Sequence, residues 1–353
     1  MITTTTWQHN FTNYTCLNDI NQSDRQYLKI LQPIAAKRIR LQLNNLFDEI
    51  PLEVTSLKIF SEPGHQKSVT MNDNDSFQIE PHLKVWSDWI DLTVPAGSFL
   101  NIELISPNQA IHTAGLTISN ALVKTAVTDP KIAKYFFGIS GIQVETKESF
   151  KRLAFFGDSL TNQGNFSAPL AVDLENNFQV MTANFGISGN RLLRPGHSTS
   201  KWSDSFGEAG LSRFDHMLVE YRPDIIIFME GINDLFHPGT GSPMSELPSA
   251  KAIIQAIYQL KAKCRQFNIT FVPMTITPAS NNSGWSAQKE ALRLTVNQAI
   301  LQLPHVIDVA SLVDENGGLK PEYDCGDHLH LSQIGGQVVA RHIKEQLIRK
   351  KMI

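Results

Sequence analysis

From residue 151 onward the chain repeats one pattern: a short, mainly apolar run, then a longer stretch with helical spacing. The runs are 153–156, 180–185, 224–229, 269–276 and 306–309. A strand that is apolar on both of its faces, rather than at alternate positions, is buried on both sides, which requires helices on both sides of a parallel sheet. Segments 250–267 and 286–303 have helix length, and Ser332 is placed to cap a last helix over 333–349. The repeat predicts an α/β domain with a flavodoxin-like, doubly wound parallel sheet of five strands.

The residues before it follow another rule. In Arg38-Ile39-Arg40-Leu41-Gln42-Leu43, Ser56-Leu57-Lys58-Ile59-Phe60 and Leu100-Asn101-Ile102-Glu103-Leu104 apolar and polar side chains alternate, which is the period of strands with one buried face. Breaks such as Asn72-Asp73-Asn74-Asp75 and Pro95-Ala96-Gly97 separate them. No long helical period intervenes, so an N-terminal β-sandwich of jelly-roll type is expected. A chain of 353 residues exceeds the usual size of one core. The polar segment Glu145-Thr146-Lys147-Glu148 divides the two patterns, so domains are expected at 1–148 and 149–353. Trp86 and Trp89 lie an odd number of residues apart and should face opposite sides of one strand, one packed inside and the other exposed for sugar stacking or covered.

Composition narrows the partners. A formal net charge of −3 makes no field that would hold nucleic acid or an anionic membrane. No apolar run reaches spanning length, and no basic head followed by an apolar stretch opens the chain. Cys16, Cys264 and Cys325 are odd in number and widely spaced, as reduced thiols would be. A cytoplasmic protein with neither a nucleic-acid nor a membrane partner is expected.

In a doubly wound sheet, ligands bind beyond the carboxyl ends of the strands where the strand order reverses. In the order 2-1-3-4-5, three loops meet there: one with Ser159 after the first run, one with Gly189-Asn190 after the second, and one with Gly231-Ile232-Asn233-Asp234 after the third. Asp327 and His330 precede the last helix and belong to the same rim. A serine hydroxyl needs an imidazole to take its proton and a carboxylate to orient that imidazole. Ser159, His330 and Asp327 fill these roles. The backbone N–H groups of Ser159 and Gly189 and the side-chain amide of Asn233 are the candidate oxyanion donors.

The blocks Gly157-Asp158-Ser159-Leu160, Gly189-Asn190, Gly231-x-Asn233-Asp234 and Asp327-x-x-His330 resemble those of the SGNH (GDSL-type) hydrolases, in order and spacing. The resemblance covers the second half of the chain. The longer strings around these blocks look like a bacterial subgroup with an added N-terminal β-domain. It implies an esterase or acylhydrolase with no metal or organic cofactor, Ser159 as nucleophile, Gly189 and Asn233 completing the oxyanion hole, and Asp327 and His330 as the other triad members.

Plainer readings stand beside these. In one, the Gly157-Asp158-Ser159-Leu160 string is an ordinary strand-to-helix turn that Asp158 or Ser159 merely caps. Asp327, His328 and His330 have the look of metal ligands, but no third histidine or cysteine pair supports them. His328 competes with His330 as base, though a side chain adjacent to Asp327 points away from it. Asp234 braces a loop through backbone N–H groups. Arg191 either contacts substrate or forms a surface ion pair, and Trp202 and His237 lie in loops that line the site or dock elsewhere. The substrate expected is a small-molecule or oligosaccharide ester carrying a short acyl group, acetyl above all. A lysophospholipid or lipase-type ester is the alternative within the class. A carbohydrate-binding protein with a vestigial hydrolase half is the rival from another class.

Overall fold

The computed structural model describes residues 1–17, 20, 24–61, 66–117 and 134–353. They fall into two compact units, Met1–Lys151 with Val172–Ala183, and Arg152–Ala171 with Asn184–Ile353. Among the described residues no helix is long and apolar enough to cross a membrane.

The Met1–Lys151 part of the first unit is built of antiparallel strands. Strand Tyr135–Thr146 lies between Ile2–His9 and Ala36–Asn45, and Ala36–Asn45 continues to Ile90–Val94 and Leu83–Trp86. A second sheet runs Arg25–Gln32, Ser98–Ile105, Ser56–Phe60, Lys67–Ser68. The alternating segments fall in these strands, and their apolar members Ile39, Leu41, Leu43, Leu57, Ile59, Leu100, Ile102 and Leu104 are all buried. Burying such side chains contributes about 1.5–3 kcal/mol each. The two tryptophans depart from the expectation. Their strand ends at Trp86, so alternation does not extend to Trp89. Instead the Arg40 guanidinium sits 5.1 Å from the Trp86 ring centre and 4.6 Å from that of Trp89.

The second unit carries the parallel sheet. Arg152–Gly157 pairs with Ile225–Met229, and Ile225–Met229 pairs with Thr270–Pro273. The last residues of strand Met181–Gly186, which belong to this unit from Asn184 onward, lie on the other side of Arg152–Gly157, where Ile187 N donates to Gly157 O at 3.0 Å. The order is thus 2-1-3-4, and a parallel bridge from Met274 to Ile307 adds the fifth position. That position is not a full strand. Asp308 accepts from Ser311 N at 3.2 Å and caps helix Val309–Val313, so the apolar run 306–309 turns into a helix after one bridge. Helices Ala250–Gln266, Ala287–Ile300 and Gln333–Arg349 begin at Ser249, Ser286 and Ser332, and each serine side chain accepts a backbone N–H of the first turn.

Candidate active site

The strand Arg152–Gly157 ends where Gly157 lies against the third strand. A Cβ on Gly157 would lie 2.1 Å from Met229 O and 2.4 Å from Thr161 Oγ1. Asp158 then accepts from Leu160 N at 3.0 Å and caps the single turn Ser159–Asn162. The capping duty falls on Asp158, which leaves the Ser159 hydroxyl free. Its Oγ lies 2.7 Å from His330 Nε2.

The loop that carries His330 closes on itself. Asp324 bridges Leu331, and Cys325 N donates to His330 O at 3.1 Å. Inside it Asp327 Oδ1 accepts from Leu329 N at 3.0 Å and His330 N at 2.8 Å, while Oδ2 lies 2.6 Å from His330 Nδ1. Burial pushes the Asp327 carboxyl up. The bond from His330, its charge and the two backbone N–H groups outweigh that and hold it well below the carboxylate range. Asn165 Nδ2 donates to Leu331 O and Asn282 Nδ2 to Asp327 O, both at 2.8 Å, so side chains from two other segments pin the loop. His328 turns elsewhere: its Nδ1 lies 2.5 Å from Asp324 Oδ2, at a residue with φ +61°. Two Asp–His pairs thus stand side by side in the loop, one at a spacing of three and the other at a spacing of four.

The loops after the second and third strands lock together. Asn233 Nδ2 donates to Asn190 O at 2.9 Å, and Asp234 accepts from Leu192 N at 2.6 Å and Leu193 N at 2.9 Å. Asp234 therefore braces the loop, although burial raises it to about 6 against the pull of those N–H groups. Gly189 has φ +76°, and a Cβ there would fall 2.1 Å from the Phe206 ring. Ser188 Oγ donates to Asn162 Oδ1 at 3.0 Å.

Arg213 was not found by sequence reasoning. From helix Gly210–Tyr221 it donates to Gly157 O at 2.8 Å, Phe185 O at 2.5 Å and Asn190 Oδ1 at 2.6 Å, and reaches Glu230 Oε1 at 3.3 Å. One guanidinium thus ties the carboxyl ends of the first three strands. Burial raises Glu230 to about 7 against the pull of Arg213. Burial also raises Asp158 well above the carboxylate range, and Glu230 adds to the effect. The available signal was a cation on an apolar stripe, since Arg213, Met217 and Tyr221 recur every four residues.

Arg191 is a correction. It is only 2% exposed, and its guanidinium faces Glu246 Oε2 at 2.7 Å, Ser242 Oγ at 3.3 Å and Pro195 O at 3.3 Å. The Arg191 side of the ion pair is buried and the Glu246 side is partly exposed, so this is not the surface ion pair expected. His237 is buried too, with its ring centre 4.9 Å from that of Phe206. Burial, followed by Arg191 and Lys289, lowers its pKa to about 4. Trp202 is half-buried under the Lys201 ammonium, 4.9 Å from the ring centre.

Residues 155–338 match the family described as GDSL-like Lipase/Acylhydrolase. Among solved structures, the chain is similar to a GDSL-like lipase from Bacteroides thetaiotaomicron at 17% identity and a TM-score of 0.41, over 57% of this chain and 89% of that one. It is also similar to a catalytic mutant of an acetylxylan esterase from Geobacillus stearothermophilus at 16% identity and a TM-score of 0.44, over 57% and 96%. No curated protein matches the chain significantly.

Proposed function

Because this chain belongs to the GDSL-like lipase/acylhydrolase family, we propose that it hydrolyses a short-chain, acetyl-type carboxylic ester of a carbohydrate through Ser159, His330 and Asp327. The observation that carries the reading is the continuous pair of contacts, 2.7 Å from Ser159 Oγ to His330 Nε2 and 2.6 Å from His330 Nδ1 to Asp327 Oδ2.

Neutral His330 accepts the Ser159 proton at Nε2 as Oγ bonds to the ester carbon. The Asp327 carboxylate stabilises the imidazolium that results. The carbonyl oxygen becomes an oxyanion facing the Ser159 and Gly189 N–H groups and the Asn233 amide. Asn233 spends one of its two amide hydrogens on Asn190 O, which fixes the amide and leaves the other for the oxyanion. Ser159 N opens a helical turn and so lacks an intrahelical acceptor. His330 then protonates the departing alkoxide, the C–O bond breaks, and an acyl-serine remains. Water attacks that ester in turn, giving its proton to His330, and the acid and free serine are released.

A bulky polar alcohol suits the open side of the site. The Asp327 side chain is 50% exposed and that of His330 20%, and Asn282, Asp324 and His328 lie around them. Residues 1–148 are read as an appended β-sandwich, which puts the chain in the bacterial subgroup that carries one. The cytoplasm is proposed on cysteine usage alone. p-Nitrophenyl acetate hydrolysis by wild type and Ser159→Ala, extended to acetylated oligosaccharides and longer acyl esters, tests the proposal. Loss of turnover in the variant and a preference for acetylated sugar support it. Equal rates in both proteins refute the triad, and preference for long acyl chains refutes the substrate.

A further inference from the structure

Cys325 stands in the loop of the proposed triad, and none of the steps above uses it. The thiol is exposed, whereas Cys264 is buried. Loop closure sets its position: Cys325 N donates to His330 O, and the flanking pair Asp324 and Leu331 bridge. As a result Cys325, Asp327 and His330 each offer one ligand atom, and the three atoms lie within 4.8 Å of one another. The thiol also hydrogen-bonds the Asp327 carboxylate, which meets the imidazole through Oδ2 and the Leu329 and His330 N–H groups through Oδ1. A sulfur, a carboxylate oxygen and an imidazole nitrogen form the donor set that zinc prefers, with a fourth position left for water.

We propose that Cys325, Asp327 and His330 form an inhibitory site for a thiophilic divalent cation of the zinc class. The site rests on the triad reading for its effect but not for its existence. The chemistry of inhibition follows from the tautomer. On binding, the thiol loses its proton to solvent, the cation exchanges water for Sγ, Asp327 Oδ2 and His330 Nδ1, and the single proton of the neutral imidazole must reside on Nε2. Nε2 then donates where it had accepted, so it cannot take the Ser159 proton. His328 and Asp324 stay outside the site because they already pair with each other. The thiol and carboxylate are both at the surface, so the cation has an open approach.

The test has two parts. Esterase activity is titrated with Zn²⁺ in wild type, Cys325→Ser, Cys325→Ala and His328→Ala, each against its own metal-free rate. Separately, Co²⁺ is added to the full-length Ser159→Ala protein and its spectrum recorded, a readout that needs no turnover. Inhibition reversed by chelator, weakened by at least roughly tenfold in both Cys325 variants, and a sulfur-to-cobalt absorption band lost on adding Cys325→Ser would establish the site. The same Zn²⁺ response in the Cys325 variants overturns it, as does a cobalt band that survives Cys325→Ser or disappears in His328→Ala. A Cys325-dependent cobalt band in a protein with no esterase activity would keep the site and discard the function proposed above.

Discussion

Arg213 donates to the carbonyl of Gly157 at 2.8 Å, two residues before Ser159. The same guanidinium holds Phe185 O and Asn190 Oδ1, so the serine turn and the Gly189 loop share one fixed point.

Lysine cannot reproduce that fork of donors. Arg213→Lys should lower kcat by roughly tenfold or more with little change in KM, because the groups displaced act on the transition state. Arg213→Ala, which strands the buried Glu230, should cost about 3–5 kcal/mol in a denaturant melt. Wild-type kcat in the lysine variant would show the clamp to be irrelevant to the reaction.

The two histidines of the last loop should separate sharply. His330→Ala removes the group against Ser159 and should lower kcat by about a thousandfold or more. His328→Ala breaks only the contact with Asp324 and should stay within a few-fold of wild type. Steady-state kinetics on both variants decides the matter, and a reversed ranking rejects the assignment of the base.

Gly189→Ala should damage both folding and turnover. Its φ of +76° disfavours a side chain, and the new methyl would overlap the Phe206 ring. Alanine keeps the N–H, but relieving the overlap with Phe206 shifts the loop and moves that N–H off the oxyanion, so kcat should fall by about tenfold or more in the fraction that folds. Unchanged kcat in a folded variant would show that the close fit of Gly189 to Phe206 does not position the site.

Glu175 supplies a pH-dependent contribution to stability. It is buried, its Oε1 accepts from Thr182 Oγ1 at 2.6 Å, and burial raises it to about 8 against the pull of that bond. Between its usual value and about 8, the folded chain holds a proton that the unfolded chain has released. Stability from this group therefore falls as pH rises through that window and levels off above it. Glu175→Gln stays neutral and keeps the acceptor oxygen. It should melt higher than wild type at about pH 8.5 and close to it at about pH 5. An equal gap at both values contradicts the shift.

The parallel sheet and the meeting of its loops were legible because continuous apolarity leaves few arrangements other than burial on both faces. The pairing of His330 with Asp327 was legible for a related reason, since a spacing of three suits one turn of chain. What the sequence concealed was held by backbone atoms or by distant partners. Arg213 bonds the carbonyls of Gly157 and Phe185, which residue types do not reveal. Arg191 is neutralised by Glu246, 55 positions away, so nothing local marked it as buried. The apolar run 306–309 has strand composition, but the Asp308 carboxylate caps a helix within it. Trp89 escaped the alternation rule because its strand had already ended.

The most direct measurement is covalent labelling with a fluorophosphonate followed by peptide mapping. The account predicts one adduct on Ser159, formed readily by wild type, slowly by His330→Ala and not at all by Ser159→Ala. No adduct on wild type, or one that persists in Ser159→Ala, would contradict it.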